Sequence, residues 1–255
     1  MPAVKPKKSL GQHFLTNEDI AARIVESIST SPKNVLEIGP GMGVLTKYLL
    51  KKKYEHFKVV ELDGESVEFL KSHYPDLSGN IIAQDFLKLD LNSLFKDQLV
   101  IIGNFPYNIS SQILFKILDC KDFVNETVGM FQKEVAERVA SQPGNKQYGI
   151  LSVLLQAFYD IEYLFTVDEN QFLPPPKVKS AVIRLVRNPQ KRLSCSESLF
   201  KQVVKAGFNQ RRKTLRNSLS QFEFQPDFRQ NEIFAKRPEQ LTVQDFELIC
   251  MNVIQ

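Results

Sequence analysis

Cysteine is scarce in this chain of 255 residues, which holds only Cys120, Cys195 and Cys250. The three lie far apart and form no CxxC pair, so the sequence favours free thiols in a reducing cytoplasm over disulfides or a zinc site. No apolar run approaches the roughly 18 residues of a membrane-spanning helix, and the polar, lysine-containing N-terminus lacks the apolar core of a signal peptide. We therefore expect a cytoplasmic protein that does not enter a membrane.

The remaining composition is that of an ordinary globular protein, with 43% hydrophobic and 24% charged residues, and its length suits one large domain or two unequal ones. The net charge is +4, but it is unevenly distributed. Residues 1–169 carry net −4, residues 170–222 carry net +11 with the single acid Glu197, and residues 223–255 carry net −3. A solvated basic surface is the ordinary explanation of such a block, and a polyanion such as nucleic acid is the alternative partner.

Strand-like and helix-like segments alternate over the first 150 residues, which predicts a parallel α/β sheet with helices on both faces. The predicted strands are 34–39, 57–62, 81–83, 99–102 and 181–186, and the first two predicted helices are 44–53 and 65–72. Beyond Asn188-Pro189 the pattern predicts short helices at 199–208, 211–219 and 243–253. We therefore expect an α/β domain over residues 1–187 and a small all-α domain over residues 188–255.

Three predicted strands end in residues that suit a nucleoside, and the ends of parallel strands are where such sheets bind ligands. The glycine-rich turn that begins at Gly39 and includes Gly41 lets backbone N–H groups approach a ligand closely. Its spacing misses the dinucleotide fingerprint, since Val44 occupies the third glycine position. Glu61 could accept both hydroxyls of a ribose, and Asp85 could meet an adenine amino group. Singly these are ordinary turn and surface residues, but together they resemble the S-adenosylmethionine site of Rossmann-like class I methyltransferases.

The fourth strand of the predicted sheet ends in Asn104, Phe105, Pro106 and Tyr107, which could form a simple turn or a catalytic motif. An exocyclic amine of adenine is a poor nucleophile because its lone pair is delocalised into the ring. The Asn104 side-chain carbonyl and the Phe105 backbone carbonyl could each accept one amine hydrogen and so localise that lone pair. Tyr107 could stack on the extruded base. No metal is expected, because a sulfonium methyl donor is already activated.

Seven motifs in order resemble those of the small-subunit ribosomal RNA adenine dimethyltransferases. They are KSLGQHFL at 8–15, EIGPGMG at 37–43, NFPYNISS at 104–111, MFQKEVAERV at 130–139, YGILSV at 148–153, FLPPPKVKSA at 172–181 and FNQRRKTLRNSL at 208–219. Methyltransferases that act on large-subunit rRNA and confer antibiotic resistance share the first half, whereas the last motif resembles the small-subunit branch. The resemblance implies that two methyl groups pass from S-adenosylmethionine to the N6 amine of adenosines in small-subunit rRNA, during maturation of the small ribosomal subunit.

The resemblance also implies roles for matching positions. The implied cofactor-binding residues are His13, Leu15, Gly39, Gly41, Glu61, Asp85 and Asn104. The first two belong to an N-terminal segment that closes over the cofactor in this family. Phe172 matches an aromatic residue that helps to hold the target base opposite Tyr107, although an ordinary core position would also explain it. The chain departs from many members at His13, where they have Asn, and at Phe105, where they have Leu or Ile.

Six cations in the basic block are candidates for contact with RNA phosphates: Lys177, Lys179, Arg211, Arg212, Lys213 and Arg216. On the predicted helix, Arg212 and Arg216 are i, i+4 neighbours that repel each other unless a polyanion compensates. Phosphate contacts would position the RNA without choosing its sequence. The sequence leaves open a DNA or large-subunit rRNA adenine methyltransferase, and a noncatalytic ribosome-assembly factor. Nothing in it indicates an obligate dimer, so we expect a monomer.

Overall fold

Residues 4–254 are described by a computed structural model, in which the chain divides into two units. The first unit contains the chain up to Ala136 together with Ile161–Arg187, and the second contains Glu137–Asp160 together with the chain from Asn188 onward. The predicted division between 187 and 188 therefore coincides with one boundary of these units. Residues 137–160, which the sequence analysis places in the first domain, belong to the second unit instead.

Strands β1 to β9 of the described chain are Phe14–Leu15, Asn34–Ile38, His56–Val60, Ile81–Ile82, Leu99–Asn104, Val124–Gln132, Tyr159–Val167, Phe172–Leu173 and Ser180–Arg187. Within residues 4–254, β1 and β8 form a small antiparallel sheet, and the other seven strands form a sheet of order β4-β3-β2-β5-β6-β9-β7. The strands from β4 to β6 in this order pair in parallel, and β9 is antiparallel to β6. The predicted α/β sheet is confirmed.

The order of the strands reverses between β2 and β5, because the chain runs outward from β2 through β3 to β4 and then returns to β5 on the other side. All five residues of β2 are buried, as are the first five of β5. Near-continuous apolar strands of this kind are typical of a parallel sheet that is covered on both faces. The reversal leaves a crevice beyond the carboxyl ends of β2 and β5, where open α/β sheets bind their ligands.

Helices α1 to α9 of the described chain are Glu18–Glu26, Thr46–Lys51, Gly64–His73, Ser110–Asp119, Lys133–Ala140, Ile150–Gln156, Glu197–Asn209, Leu215–Ser218 and Val243–Met251. The first four lie in the first unit, and α5 crosses the division between the units. Local capping starts α1 where it does, because the Asn17 side chain accepts the Ile20 N–H at 3.0 Å. None of the helices in the described part of the chain combines the length and apolarity that crossing a bilayer requires.

The second unit is helical, with α6 and α9 both packed against α7. Its aromatic core includes Tyr148, Phe208 and Phe246, whose neighbouring ring centroids lie 6.2 and 6.0 Å apart. This packing explains why residues 137–160 belong here, since Tyr148 precedes α6 and contributes to the same core. The short helices predicted for 199–208 and 243–253 are confirmed within two residues at each end.

The helix predicted for 211–219 is wrong over its first half. The chain makes a turn after α7, in which the Lys213 N–H donates to the Gln210 carbonyl at 2.7 Å, and α8 begins only at Leu215. Thr214, with ψ of 159°, is extended between the turn and α8. Arg212 and Arg216 therefore lie on a turn and on a helix, and the shared helix face that the sequence predicts does not form.

Candidate active site

A cavity of about 920 Å³, its open mouth included, lies in the first unit beyond the carboxyl ends of the parallel strands. Its lining includes Gly39, Gly41, Glu61, Asp85, Asn104, Phe105, Pro106 and Tyr107, together with Gln12, His13 and Phe14 from the start of the chain. Most residues that the sequence assigns to the cofactor and to catalysis are therefore brought together here.

The turn after β2 forms one wall of this cavity and needs glycine at two positions. Gly39 and Gly41 have φ values of 64° and 57°, in the left-handed region that residues with a side chain rarely adopt. A Cβ on Gly41 would also lie 2.8 Å from a ring carbon of Phe14. The turn thus brings its backbone close to the N-terminal segment and leaves no room for a side chain between them.

Glu61 follows β3 and is only 6% exposed. Its two carboxylate oxygens accept the Gly41 N–H at 3.0 Å and the Asp63 N–H at 2.8 Å, so the carboxylate links the glycine turn to the loop before α3. Burial raises the pKa of Glu61, and the backbone hydrogen bonds from Asp63 and Gly41 act against that rise. Because each carboxylate oxygen can accept more than one hydrogen bond, Glu61 retains capacity for two hydroxyls of a ribose.

Asp85 follows β4 and precedes a short 3-10 helix, Phe86–Lys88. One carboxylate oxygen, Oδ1, accepts the Leu87 N–H at 2.9 Å, and no other hydrogen bond to this carboxylate is present within residues 4–254. The Lys116 ammonium, on α4, supports this turn by donating to the Phe86 carbonyl at 2.6 Å. The second oxygen of Asp85 thus remains an acceptor at the wall of the cavity.

Asn104 ends β5, and its side-chain Nδ2 donates to the His13 carbonyl at 2.9 Å. This bond engages one of the two hydrogens on the amide nitrogen, and the Oδ1 atom, which accepts no hydrogen bond from any residue between 4 and 254, is the group of this side chain that can accept one from a ligand. Phe105 next to it is 1% exposed, and its ring contacts Phe131 at a centroid distance of 4.9 Å. A Cβ on Gly129 would clash with the same ring. The Phe105 side chain is thus a core element, and its backbone carbonyl is the group that could act in chemistry.

Tyr107 lines the cavity, and its hydroxyl is hydrogen-bonded to the Ser180 Oγ. Its ring stacks on the imidazole of His13, with the ring centroids 5.3 Å apart and the ring planes 28° from parallel. The His13 Nδ1–H donates to the Pro174 carbonyl at 2.8 Å. Phe172, the residue that the resemblance places opposite Tyr107, does not line this cavity. Its side chain is 4% exposed and packs in the core, because β8 pairs with β1 so that Phe172 lies opposite Leu15.

Glu37 and Leu15 lie beside the main cavity, and Glu37 is a residue that sequence reasoning did not assign to the site. Glu37, in β2, is 1% exposed and accepts the Thr46 hydroxyl at 2.6 Å, and burial raises its pKa to about 8. It lines a smaller cavity of about 330 Å³ that also includes Leu15 and Asn104. The only sequence signal for Glu37 was its place in the EIGPGMG motif, since a carboxyl within an apolar strand shows no periodic pattern.

The six basic candidates differ in whether they form ion pairs or hydrogen bonds with other residues of the chain. Lys179 lies 2.7 Å from the Asp168 carboxylate, and Arg211 donates to the Lys146 carbonyl with Glu239 4.0 Å away. Lys177, Arg212, Lys213 and Arg216 are exposed and form no ion pair with any residue from 4 to 254. The described residues also contain no group of three or more His, Cys, Asp or Glu side chains that could hold a metal ion.

Similarity to known proteins extends over nearly the whole chain. The family model for ribosomal RNA adenine dimethylase matches residues 3–247. The chain is 60% identical to the ribosomal RNA small subunit methyltransferase A of Cytophaga hutchinsonii over 96% of each chain. It is 55% identical to the protein of the same name from Flavobacterium johnsoniae, over 99% of this chain and 97% of that one.

Two solved structures share the fold. A dimethyladenosine transferase from Plasmodium falciparum is 25% identical with a TM-score of 0.77, and the match covers 92% of this chain and 94% of that one. The 23S rRNA methyltransferase ErmE is 23% identical with a TM-score of 0.70, over 94% of this chain and all of that one. The second likeness concerns the fold alone. The Rossmann-like methyltransferase sheet predicted from the strand-end residues is confirmed.

The role of Glu61 can be tested by replacing it with Gln. The amide nitrogen cannot accept the Gly41 or Asp63 N–H, and the variant loses the charge that a ribose would contact. Hydrogen bonds to a charged group contribute about 1.5–3 kcal/mol, so we expect S-adenosylhomocysteine to bind roughly 10- to 100-fold more weakly by titration calorimetry. The matched control is Glu68→Gln, an exposed carboxylate on α3 that is paired with Lys71. An unchanged dissociation constant for Glu61→Gln would remove this residue from the site.

Proposed function

Because the chain belongs to the ribosomal RNA adenine dimethylase family, we propose that it transfers two methyl groups in succession from S-adenosylmethionine to the N6 amine of adenosines in small-subunit rRNA. The observation that carries this proposal is the hydrogen bonding of the Asn104 side-chain amide. Its amide nitrogen is engaged by the His13 carbonyl, so its Oδ1 is the acceptor in a cavity that also contains Glu61 and Asp85. A noncatalytic assembly factor would have no need of that arrangement.

The chemistry of the cavity walls fits S-adenosylmethionine. Glu61 would accept the two ribose hydroxyls, and the unengaged oxygen of Asp85 would accept the adenine amino group. The left-handed turn at Gly39 and Gly41 would let backbone groups approach the rest of the molecule without a side chain between. When bound, the cofactor supplies a methyl group made electrophilic by the attached sulfonium.

The chain's own contribution to chemistry is to prepare the target amine. The Asn104 Oδ1 and the Phe105 carbonyl each accept one amine hydrogen, which draws the nitrogen toward a tetrahedral shape and localises its lone pair. Transfer of the methyl group breaks its bond to the sulfonium sulfur and yields S-adenosylhomocysteine, and the methylated amine, now positively charged and acidic, releases one proton to water. One hydrogen then remains on the nitrogen, so one of the two carbonyls still has a partner and a second transfer can follow with a second cofactor molecule. After the second transfer no hydrogen is left and neither carbonyl is bonded to the amine. The reaction therefore stops at two methyl groups, and the product is held less tightly.

We assign methyl transfer to the first unit and RNA docking to the second. Arg212, Lys213 and Arg216 would contact rRNA phosphates, and Lys177 would do so from the first unit. Lys179 and Arg211 are weaker candidates, since each is already engaged within the protein. The proposed partner is the immature small ribosomal subunit, and the proposed setting is a monomer in the cytoplasm, where the free thiols of all three cysteines would persist.

Replacing Asn104 with Ala tests the chemical step. The change removes one preorganised acceptor, for which losses on the order of 100- to 1,000-fold in kcat are typical. We expect the rate constant for methyl transfer to small subunits to fall by about 100-fold or more, with RNA affinity nearly unchanged, in a single-turnover assay with labelled cofactor. Asn92→Ala, at an exposed position outside the cavity, is the matched control. If Asn104→Ala retained full activity, the proposed mechanism would be wrong.

Replacing Arg212, Lys213 and Arg216 together with Gln tests docking. Removing one phosphate contact should reduce the slope of log K against log salt by roughly 0.7–0.9, so affinity for small subunits should fall and become less sensitive to salt. Binding of S-adenosylhomocysteine should not change. The control replaces the exposed Lys51, Lys52 and Lys53 with Gln, which removes the same net charge from the first unit. Equal decreases in affinity for both triple variants would mean that only overall charge matters, and docking by these three residues would be refuted.

A further inference from the structure

The Tyr107 side chain is held at two places by residues that are distant in the sequence. Its hydroxyl is hydrogen-bonded to the Ser180 Oγ, and its ring stacks on the imidazole of His13. Aromatic pairs at centroid distances of about 4.5–7 Å attract each other, so the 5.3 Å separation is a favourable contact. The Tyr107 side chain is thus held at its hydroxyl by Ser180 and at one face of its ring by His13.

Ser180 is a rigid anchor for that hydroxyl. It is the first residue of β9, it is fully buried, and its backbone lies opposite Gln132 in the ladder with β6. Its hydroxyl makes no hydrogen bond to any described residue other than Tyr107. Burying a hydroxyl is costly unless it is hydrogen-bonded, so the pair satisfies two polar groups that would otherwise each be unfavourable.

His13 is also fixed, since the hydrogen bond from its Nδ1–H to the Pro174 carbonyl sets the tilt of the imidazole. That carbonyl lies beside His13 because β8 pairs with β1, which places Leu173 opposite Phe14. Two separate strand pairings, β9 with β6 and β8 with β1, therefore determine where the Tyr107 ring lies. The N-F-P-Y motif does not fix this ring by itself.

We propose that Ser180 is a positioning residue for methyl transfer, which acts by holding the Tyr107 ring as a preformed platform for the target base. The inference rests on the proposed function, in which the adenine stacks on Tyr107. A stacked base follows the tilt of the ring beneath it, so this tilt decides where the amine lies relative to the Asn104 Oδ1 and the Phe105 carbonyl. A small misplacement of reacting atoms lowers the rate of the chemical step and leaves cofactor binding unaffected.

A double-mutant cycle between Ser180 and Tyr107 tests this role. Ser180→Ala and Tyr107→Phe each remove one partner of the same hydrogen bond, and we expect each to lower kcat roughly three- to tenfold at saturating cofactor and subunit. The affinity for S-adenosylhomocysteine should stay within twofold of the parent. The double variant should be no slower than the worse single variant, because the first change has already broken the hydrogen bond that the second would remove. Should Ser180→Ala prevent folding, Ser180→Cys replaces it in the cycle.

Ser152→Ala is the matched control, since this serine is also fully buried and hydrogen-bonded but lies in the second unit. It should lower the melting temperature and leave kcat unchanged. The proposal is overturned if the effects of the Ser180 and Tyr107 changes on kcat multiply in the double variant, or if Ser180→Ala behaves like Ser152→Ala.

Tyr107→Ala distinguishes the stacking role of Tyr107 from the positioning role of Ser180. Full kcat in that variant would refute the stacking role in the proposed function itself, whereas a large decrease beside a neutral Ser180→Ala would refute only the role of Ser180.

Discussion

The buried carboxylate of Glu61 is the interaction on which the cavity depends. A carboxylate removed from water is unfavourable unless it is hydrogen-bonded, and here two backbone N–H groups, from Gly41 and Asp63, serve that purpose. These bonds fix the glycine turn after β2, the end of β3 and the start of α3 relative to one another. The parallel pairing of β2 with β5 then places Asn104 beside the same turn. The residues proposed for cofactor recognition and for catalysis therefore lie on one set of neighbouring strand ends.

The start of the chain closes the other side of this arrangement. Lys7 forms an ion pair with Asp63, and Gln12 donates to the same carboxylate at 3.2 Å. The His13 carbonyl accepts the Asn104 amide, and the His13 ring stacks on Tyr107. The N-terminal segment thus contacts the loop that follows Glu61 and also contacts both polar residues of the N-F-P-Y motif. Changes in this segment should affect cofactor binding and base positioning together.

The strand-end residues were predictable, because in a parallel sheet the carboxyl ends of neighbouring strands meet at one edge. Gly39, Glu61 and Asp85 could therefore be grouped from their places at strand ends, the family resemblance added Asn104 to them, and the cavity contains all four. What could not be read from the sequence depends on pairings between distant segments. Ser180 shows no periodic signal for contact with Tyr107, and the burial of Phe172 follows from its pairing with Leu15.

The helix predicted at 211–219 is wrong over its first half for a related reason, and residues 137–160 group with the second unit. The five residues between α7 and α8, 210–214, include no glycine or proline that would mark a turn, yet the extended backbone at Thr214 separates the two helices. Tyr148 and its neighbours had no local signal that their core lay with α7 and α9. Tertiary packing decided both cases.

The most direct test of the proposed activity is which RNA accepts the methyl groups. Purified protein and labelled S-adenosylmethionine would be incubated with small subunits from a strain that lacks this protein, with large subunits, and with DNA, and the nucleosides would be analysed after digestion. Dimethylation removes both amine hydrogens and blocks base pairing, so reverse transcription should stop at the modified adenosines. We expect N6,N6-dimethyladenosine in small-subunit rRNA alone. Labelled adenosine in large-subunit rRNA or DNA, or no transfer to any of the three, would contradict the proposed activity.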